Sequence, residues 1–210
     1  DAGVAAEAAK LGYSTTPLLV DATNHGVAQT RRRYFMVCHR VEVKFTPTGL
    51  DPVTVGQALK GVPEGSEWAE IPPRFNKIMP GLKQGARLRD VFDARATAGV
   101  NLIRKENGHV KGRPGFLINR LDESKPSPVL TGSATKIHPR KDRFISIEES
   151  KAICGLPRDF EFEGSLGNKY AQLAKAVMPP VGEYVAKCAA DAIRRNVKVS
   201  SPTVRQVTVH

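Results

Sequence analysis

The first 45 residues show a hydrophobic pattern that changes from helical to extended. The segment "VAAEAAKL" (4–11) is typical of the end of a helix, and Gly12 follows in the position of a C-terminal cap. The segments 16–22 and 31–45 are rich in β-branched and aromatic residues, and "TNHG" (23–26) lies between them. We therefore predict a helix, a strand, a turn and a second strand at the edge of a larger α/β sheet.

From Thr46 to about Gly115 the pattern becomes irregular. Prolines and glycines recur, as in "FTPTGLDP" and "MPGLKQG", and the apolar runs between them are short. This pattern predicts a small, loop-rich domain with a few strands and short helices. Within it, "NGHVKGRPG" (107–115) is predicted to be a basic hairpin or loop.

Helical patterns return in the last third of the chain. Ser146 and Glu149 have the spacing of a capping box, which predicts a short helix that ends at Gly155. The segment 180–195 has apolar residues on one helical face, and this face places Cys188 in a core. The alternating residues after 195 are compatible with a strand or a tail.

Positive charge is concentrated in the middle of the chain. The formal net charge is +11, and residues 74–143 hold 16 basic and 6 acidic residues, a net of +10. Residues 1–73 have a net charge of −1, and residues 144–210 have +2. A concentrated basic segment favours a polyanionic partner, with nucleic acid first and anionic membrane second. A solvated basic surface without a partner remains the alternative.

The other bulk features indicate a protein of a reducing, cytoplasmic compartment. No apolar run approaches the roughly 20 residues that span a bilayer, and there is no signal peptide. Cys38, Cys154 and Cys188 are far apart and lack metal-ligand spacing, so we predict free thiols and no metal. The chain begins at Asp1, and we expect it to be the C-terminal piece of something longer.

Three polar residues lie at the start of the second predicted strand. In an extended strand Gln29, Arg31 and Arg33 share one face, while Arg32 and Tyr34 lie on the other. Side chains able to form bidentate hydrogen bonds in this arrangement suit a phosphate or a base edge. The competing interpretation is a salt-bridged strand start with no ligand.

Four segments together resemble the cytosine-C5 DNA methyltransferases. "GVAQTRRRYFMV" (26–37) is similar to the Gln-x-Arg-x-Arg motif of that family, and "INRLDESKPSPVLTG" (118–132) is similar to its Lys-Pro-Ser-Pro segment. "IHPRKDRFISIEESKAICGLPRDFEFEG" (137–164) and "KYAQLAKAVMPPVGEYVAKCAADAI" (169–193) resemble its two closing motifs. The segments occur in the order of the family and cover residues 10–195.

The resemblance implies a fold and a division into domains. It implies the C-terminal edge of a Rossmann-like methyltransferase sheet plus a small, loop-rich, mostly β target-recognition domain. We assign residues 1–45 to the catalytic domain, 46–165 to the recognition domain with the Lys-Pro-Ser-Pro segment, 166–195 to closing helices, and 196–210 to a tail. The implied partners are double-stranded DNA and an N-terminal catalytic half in the same chain, a cleaved fragment or a separate subunit.

The resemblance also assigns roles to residues. Arg33 would contact the 2-oxo group of an extruded cytosine, and Arg31 and Gln29 would hold the active-site loop and the neighbouring phosphate. Lys175, Ala176 and Val177 would contribute to the site of S-adenosylmethionine. The basic residues assigned to DNA contact are Arg32, Arg104, Lys105, Lys111, Arg113, Lys136 and Arg140.

The chain departs from the family in ways that keep other functions open. The Pro-Cys-Gln loop with the nucleophile, the Glu-Asn-Val segment and the glycine-rich cofactor turn do not occur in it, and Ala174-Lys175 replaces Gly-Asn in the closing motif. The chain alone is therefore predicted to be inactive. One alternative is a non-catalytic DNA-binding module of the same descent, and another is an RNA cytosine methyltransferase. The family points to a cytoplasmic protein of a prokaryote or phage, in a restriction-modification setting.

Overall fold

The structure is a computed structural model of the 210-residue chain. It describes residues 2–65, 67–76, 78–91, 105–106, 109–110 and 117–199. Within them, no helix is long and apolar enough to cross a membrane.

The amino-terminal elements form a helix followed by an antiparallel hairpin. Helix α1 spans Ala2–Lys10, strand β1 spans Ser14–Asp21 and strand β2 spans Arg32–His39. A 3-10 turn at Ala22–His25 follows β1, and Gly26 ends it with a φ of 73°, a value that glycine adopts without steric cost. The predicted order of helix, strand, turn and strand is confirmed. Strand β2 is shorter than the predicted 31–45 because Ser14, the first residue of β1, pairs with His39 and no described residue extends the pairing further.

Residues 46–145, called the middle region below, have little regular structure in the part that is described. Helix α2 spans Val55–Ala58 and begins with a capping box between Thr54 and Gln57. Two 3-10 turns follow at Pro73–Phe75 and Met79–Gly81. The four strands here have two residues each: β3 (Lys105–Glu106) pairs antiparallel with β4 (His109–Val110), and β5 (Asn119–Arg120) pairs parallel with β6 (Lys136–Ile137).

Three helices complete the described chain. Helix α3 spans Ile147–Cys154, α4 spans Leu166–Lys175 and α5 spans Pro179–Val199. The predicted capping box of α3 is confirmed, because the Ser146 hydroxyl accepts from the Glu149 N–H and the Glu149 carboxylate accepts from the Ser146 N–H. Gly155 ends α3 with a φ of 68°, and an added Cβ there would lie 3.2 Å from Pro180. Both conditions require glycine at this position.

Buried side chains form two hydrophobic cores. The first core packs the hairpin against α2, α3, α4 and α5, and Cys188 packs at its margin as predicted. Its buried members include Val20, Val27, Val55, Leu121, Ile145, Ile153, Leu173, Met178, Val181 and Tyr184. The second core lies within the middle region and comprises Ile71, Phe75, Ile78, Met79, Leu82, Leu88, Ile137 and Phe144. Residues of the range 46–165 therefore contribute to both cores, since Val55 and Ile153 belong to the first.

Candidate functional site

The segment before β2 is held in place by the Lys-Pro-Ser-Pro segment. Gln29 forms a parallel bridge with Ser127. The Thr30 N–H donates to the Ser127 carbonyl at 2.8 Å, and the Ser127 N–H donates to the Ala28 carbonyl at 2.8 Å. These bonds join two stretches of chain about a hundred residues apart. They make the start of β2 part of the folded interior instead of a free loop.

Burial alternates along this segment. Gln29 is 0% exposed and Arg31 is 2% exposed, whereas the Arg32 side chain is 72% exposed and Tyr34 is also exposed. Arg33 is half-buried and lies opposite Val20 of β1. Because side chains two residues apart share a face in extended chain, this pattern places Gln29, Arg31 and Arg33 toward the protein and Arg32 toward solvent.

Gln29 contacts helix α3 through its amide. Its Nε2 donates to the Sγ of Cys154 at 3.4 Å, and both side chains are fully buried. Burial raises the pKa of Cys154 to about 12, so this sulfur is a neutral thiol at pH 7 and not a nucleophilic thiolate. The Oε1 of Gln29 has no hydrogen-bond partner within the described residues.

Arg31 binds the segment that joins α4 to α5. Its Nη2 donates to the carbonyl of Ala174 and, at 3.3 Å, to the carbonyl of Ala176, while its Nε has no partner within the described residues. The guanidinium therefore fixes the path of the closing motif. Its partners are carbonyls rather than carboxylates, so a salt-bridged strand start does not describe this arginine.

Of the three consecutive arginines 31–33, Arg32 is the one that forms an ion pair with a described residue. Its Nε lies 3.2 Å from the Oδ2 of Asp21. Burial acts to raise the pKa of Asp21, but hydrogen bonds from Thr23 and then Arg32 outweigh it and hold this pKa below its ordinary value. Arg33 donates from Nη1 to the Arg32 carbonyl at 3.0 Å. This single local bond among the described residues, formed at an exposed position, leaves most N–H groups of the Arg33 guanidinium for a ligand.

Lys175, Ala176 and Val177 follow one another across the end of α4. Lys175 is the last helical residue and is exposed, Ala176 has an extended backbone, and Val177 is 46% exposed before the buried Met178. We call these three residues the ridge, and Arg31 donates to the carbonyl of Ala176 within it.

The predicted DNA contacts fall into three groups. Arg32 and Arg140 are exposed, and the Nε of Arg140 lies 2.7 Å from the carboxylate of Glu123. Lys136 is 5% exposed, and its ammonium donates to the Asn119 Oδ1 at 2.9 Å and to the Leu117 carbonyl at 3.3 Å. Its ammonium is bonded within the fold, so we remove it from the set. Lys105 lies in β3, where only the backbone is described, and Arg104, Lys111 and Arg113 lie outside the described residues.

Two residues of the site were not identified from the sequence. Ser127 pairs with Gln29, and Cys154 accepts its amide hydrogen bond. The sequence carries no local signal for either contact, because both join segments that are far apart along the chain. Among the described residues no group of histidine, cysteine, aspartate and glutamate side chains is arranged to hold a metal ion.

Comparisons with known proteins identify the same family that the four segments resemble. The family model of the C-5 cytosine-specific DNA methylases matches residues 3–190. The type II methyltransferase M.NaeI of Lentzea aerocolonigenes is 28% identical over 187 residues, which cover 84% of this chain and 41% of that protein. M.NgoFVII of Neisseria gonorrhoeae is 26% identical over 192 residues, covering 81% of this chain and 48% of that protein.

A solved structure supports the fold. It is a prophage-encoded protein of E. coli, described as a candidate DNA modification methyltransferase. The TM-score is 0.60 at 22% sequence identity, and the match covers 88% of this chain and 62% of that one. The chain spans about half the length of the curated relatives that it matches over most of its own length.

Proposed function

Because the chain belongs to the C-5 cytosine-specific DNA methylase family, we propose that it is the carboxyl-terminal portion of a DNA (cytosine-5-)-methyltransferase that transfers a methyl group from S-adenosylmethionine to cytosine. One observation carries the proposal. The Gln29–Arg33 segment contacts Ser127, Cys154 and the carbonyls of Ala174 and Ala176, so all four family segments meet around it. The whole enzyme would act as a cytoplasmic modification methyltransferase.

Arg33 is the residue that we assign to the target base. An enzyme that modifies a base within a duplex extrudes that base from the stack, and the extruded ring needs polar partners on a rigid support. Arg33, a half-buried residue on a paired strand next to the fixed Arg31, meets this requirement. It would donate hydrogen bonds to the 2-oxo group of cytosine.

Gln29 and Arg31 are positioning residues in this proposal. The two polar atoms that they leave without partners are an acceptor, Gln29 Oε1, and a donor, Arg31 Nε. A peptide group offers one donor and one acceptor, so a peptide of the active-site loop, supplied from outside this chain, matches both. Both atoms are buried in this structure, so Gln29 and Arg31 must change rotamer before they can bind such a peptide.

The ridge Lys175–Val177 is assigned to one wall of the cofactor site, and S-adenosylmethionine supplies the methyl group when it is bound. Arg31 holds the ridge by the Ala174 and Ala176 carbonyls, and the exposed Val177 offers apolar surface. The residues of this chain fit only one wall of the S-adenosylmethionine site. The glycine-rich turn implied for the remainder of that site does not occur in the sequence.

DNA recognition is assigned to the middle region. We keep 46–165 as the recognition range, with its DNA-facing part built on the second core, and 1–45 with 166–195 as the catalytic part. Arg32 and Arg140, both exposed cations, are the described candidates for phosphate contact.

A non-catalytic DNA-binding module is the second candidate. The observation that favours it is Lys175, an exposed cation in place of the asparagine of the family motif. The methylation experiment separates the two candidates, because a binding module retains DNA affinity but transfers no methyl group.

The test is transfer of a labelled methyl group to cytosine in duplex DNA. The complete protein that contains this chain is expected to produce 5-methylcytosine, and the 210-residue chain alone is expected to produce none because it lacks the nucleophile loop. Failure of the complete protein to methylate any duplex, while it still binds DNA, would refute the proposal in favour of the binding module.

A matched pair of variants tests the role of Arg33. Loss of a base contact is worth roughly 1–3 kcal/mol, so Arg33→Ala should lower the single-turnover methylation rate of the complete enzyme about fivefold to 150-fold. Arg32→Ala removes the same charge from the opposite face and should cost less. Equal losses in the two variants would show that the assigned strand face is wrong.

A further inference from the structure

A groove of about 370 Å³ lies between helix α2 and the loop that follows strand β6. The residues that line it are Gly56, Leu59, Lys60, Glu123, His138, Pro139 and Arg140. Two of these residues are exposed cations from different stretches of the chain, Lys60 just after α2 and Arg140 just after β6. The side chain of Lys60 forms no ion pair or hydrogen bond with any described residue.

Arg140 is paired with a carboxylate inside this groove. Its Nε lies 2.7 Å from Oε2 of Glu123, and the two side chains are 73% and 35% exposed. The hydrogen bond from Arg140 holds the pKa of Glu123 below its ordinary value, so the carboxylate is ionised at pH 7. The N–H of Arg140 donates to the Nδ1 of His138 at 3.0 Å, which fixes the backbone beneath the guanidinium.

Glu123 is held more firmly than the guanidinium that it contacts. Its N–H donates to the Oε1 of Gln84 at 3.1 Å, and its carbonyl accepts the N–H of Gly56 at 2.9 Å. A Cβ added to Gly56 would lie 2.8 Å from that carbonyl oxygen, so α2 packs directly against the turn that carries Glu123. The ion pair can therefore open by rotation of the long, exposed arginine side chain alone.

We propose that this groove binds a phosphodiester of duplex DNA, with Lys60 and Arg140 as its cationic contacts and Glu123 as a carboxylate that holds Arg140 until a phosphate replaces it. The proposal rests on the proposed function and adds to it a new contact, Lys60, and an internal competitor of DNA. Carboxylate and phosphate oxygens are alternative acceptors for the same guanidinium, because both match its planar set of N–H donors. Lys60 supplies a second positive charge that no described carboxylate neutralises.

The location of the groove favours duplex DNA over a free anion. Helix α2 packs in the first core through Val55, whereas Ile137, at the end of β6, belongs to the second core. Under the proposed function the Gln29–Arg33 segment lies with the first core and DNA recognition with the second. A duplex that contacts both must pass the boundary between them, and a backbone phosphate bound there fixes its position without reading the sequence.

The first test measures the contribution of Lys60 in the complete protein that contains this chain. Kd for duplex DNA is determined by fluorescence anisotropy at several salt concentrations, with thermal melts to check folding. Lys60→Ala should reduce the magnitude of the slope of log affinity against log salt by about 0.9, because one phosphate contact is lost. Lys187→Ala is the control, since it removes an exposed lysine of α5 that is paired with Glu183, and it should leave the slope unchanged.

The second test removes the carboxylate that competes with DNA. Glu123→Gln should tighten Kd by about two- to fivefold, which is the range that an exposed ion pair is worth. In an Arg140→Ala background the same substitution should give a smaller gain, because no ion pair has to break and only repulsion of the phosphate is relieved. Glu183→Gln makes the same charge change at an exposed pair on α5 and should alter Kd less than Glu123→Gln does.

Two results would overturn the proposal. An unchanged salt slope in Lys60→Ala would show that no phosphate lies in the groove, and Lys60→Gln replaces this variant if it does not fold. Equal gains from Glu123→Gln with and without Arg140 would show a general effect of charge instead of release of the arginine.

The proposed function and this inference fail in different ways. A complete protein that binds duplex DNA but transfers no methyl group refutes the proposed function, and the salt slope of Lys60→Ala still decides the groove. A complete protein that methylates DNA while Lys60→Ala keeps the full slope retains the proposed function and loses the groove. Absence of any duplex binding overturns both.

Discussion

Replacing the buried Arg31 is expected to be among the most destabilising single changes in the site. Arg31 is 2% exposed, and its guanidinium donates to the carbonyls of Ala174 and Ala176. Hydrogen bonds from a charged donor contribute about 1.5–3 kcal/mol each, so Arg31→Ala should lower the free energy of unfolding by about 3–5 kcal/mol. Arg32→Ala removes an exposed ion pair with Asp21 and should cost at most about 1 kcal/mol.

Urea unfolding of the protein and its two variants measures the difference. Arg31→Lys is informative as a third variant, because a lysine keeps the charge but cannot span both carbonyls with a planar fork, and we expect an intermediate loss. Limited proteolysis should then cut between Lys175 and Met178 in Arg31→Ala and not in Arg32→Ala. Similar losses for Arg31→Ala and Arg32→Ala would refute the reasoning that Arg31 anchors the closing motif.

Two further predictions concern charge. Burial, and secondarily the charge of Arg87, lowers the pKa of Lys136 to about 8, so between about pH 8 and 10.5 the unfolded chain binds this proton more tightly than the folded one. The contribution of Lys136 to the free energy of unfolding should therefore rise with pH across this window, by roughly 3 kcal/mol in all, and Lys136→Met should remove that rise in urea melts taken at several pH values. DNA affinity of the protein should fall at least about tenfold between roughly 50 and 200 mM salt, as measured by fluorescence anisotropy, and a flat response would exclude the basic segment as the contact surface.

The sequence predicted well those helices and strands whose ends are set by contacts between residues close together in the chain. The capping box of Ser146 and Glu149 and the stop at Gly155 defined α3 because cap hydrogen bonds span only three or four residues. The alternation at Gln29–Arg33 likewise predicted which arginine faces solvent. The end of β2 was not predictable, because it depends on where β1 begins and not on the residues 40–45 themselves.

The contacts that assemble the site were not predictable from local patterns. Ser127 and Cys154 meet Gln29 across separations of about 100 and 125 residues, and nothing in their neighbours indicates it. Lys136 was assigned to DNA contact as one of the basic residues of the positively charged segment 74–143. In the structure Asn119 offers it an internal acceptor, and this pairing allows burial.

The basic segment 74–143 combines internal and external charges, and this limits the number of phosphates that it can contact. Arg120 is 6% exposed and donates to the carbonyls of Leu82 and His138 and to the Asp142 carboxylate, so its charge is used within the fold. Lys136 and Arg143 are buried in the same way. At least three of its 16 basic residues are therefore unavailable to DNA. Since the slope of log affinity against log salt is about −0.9 per phosphate contacted, the measured slope should correspond to clearly fewer contacts than the 16 basic residues of the segment suggest.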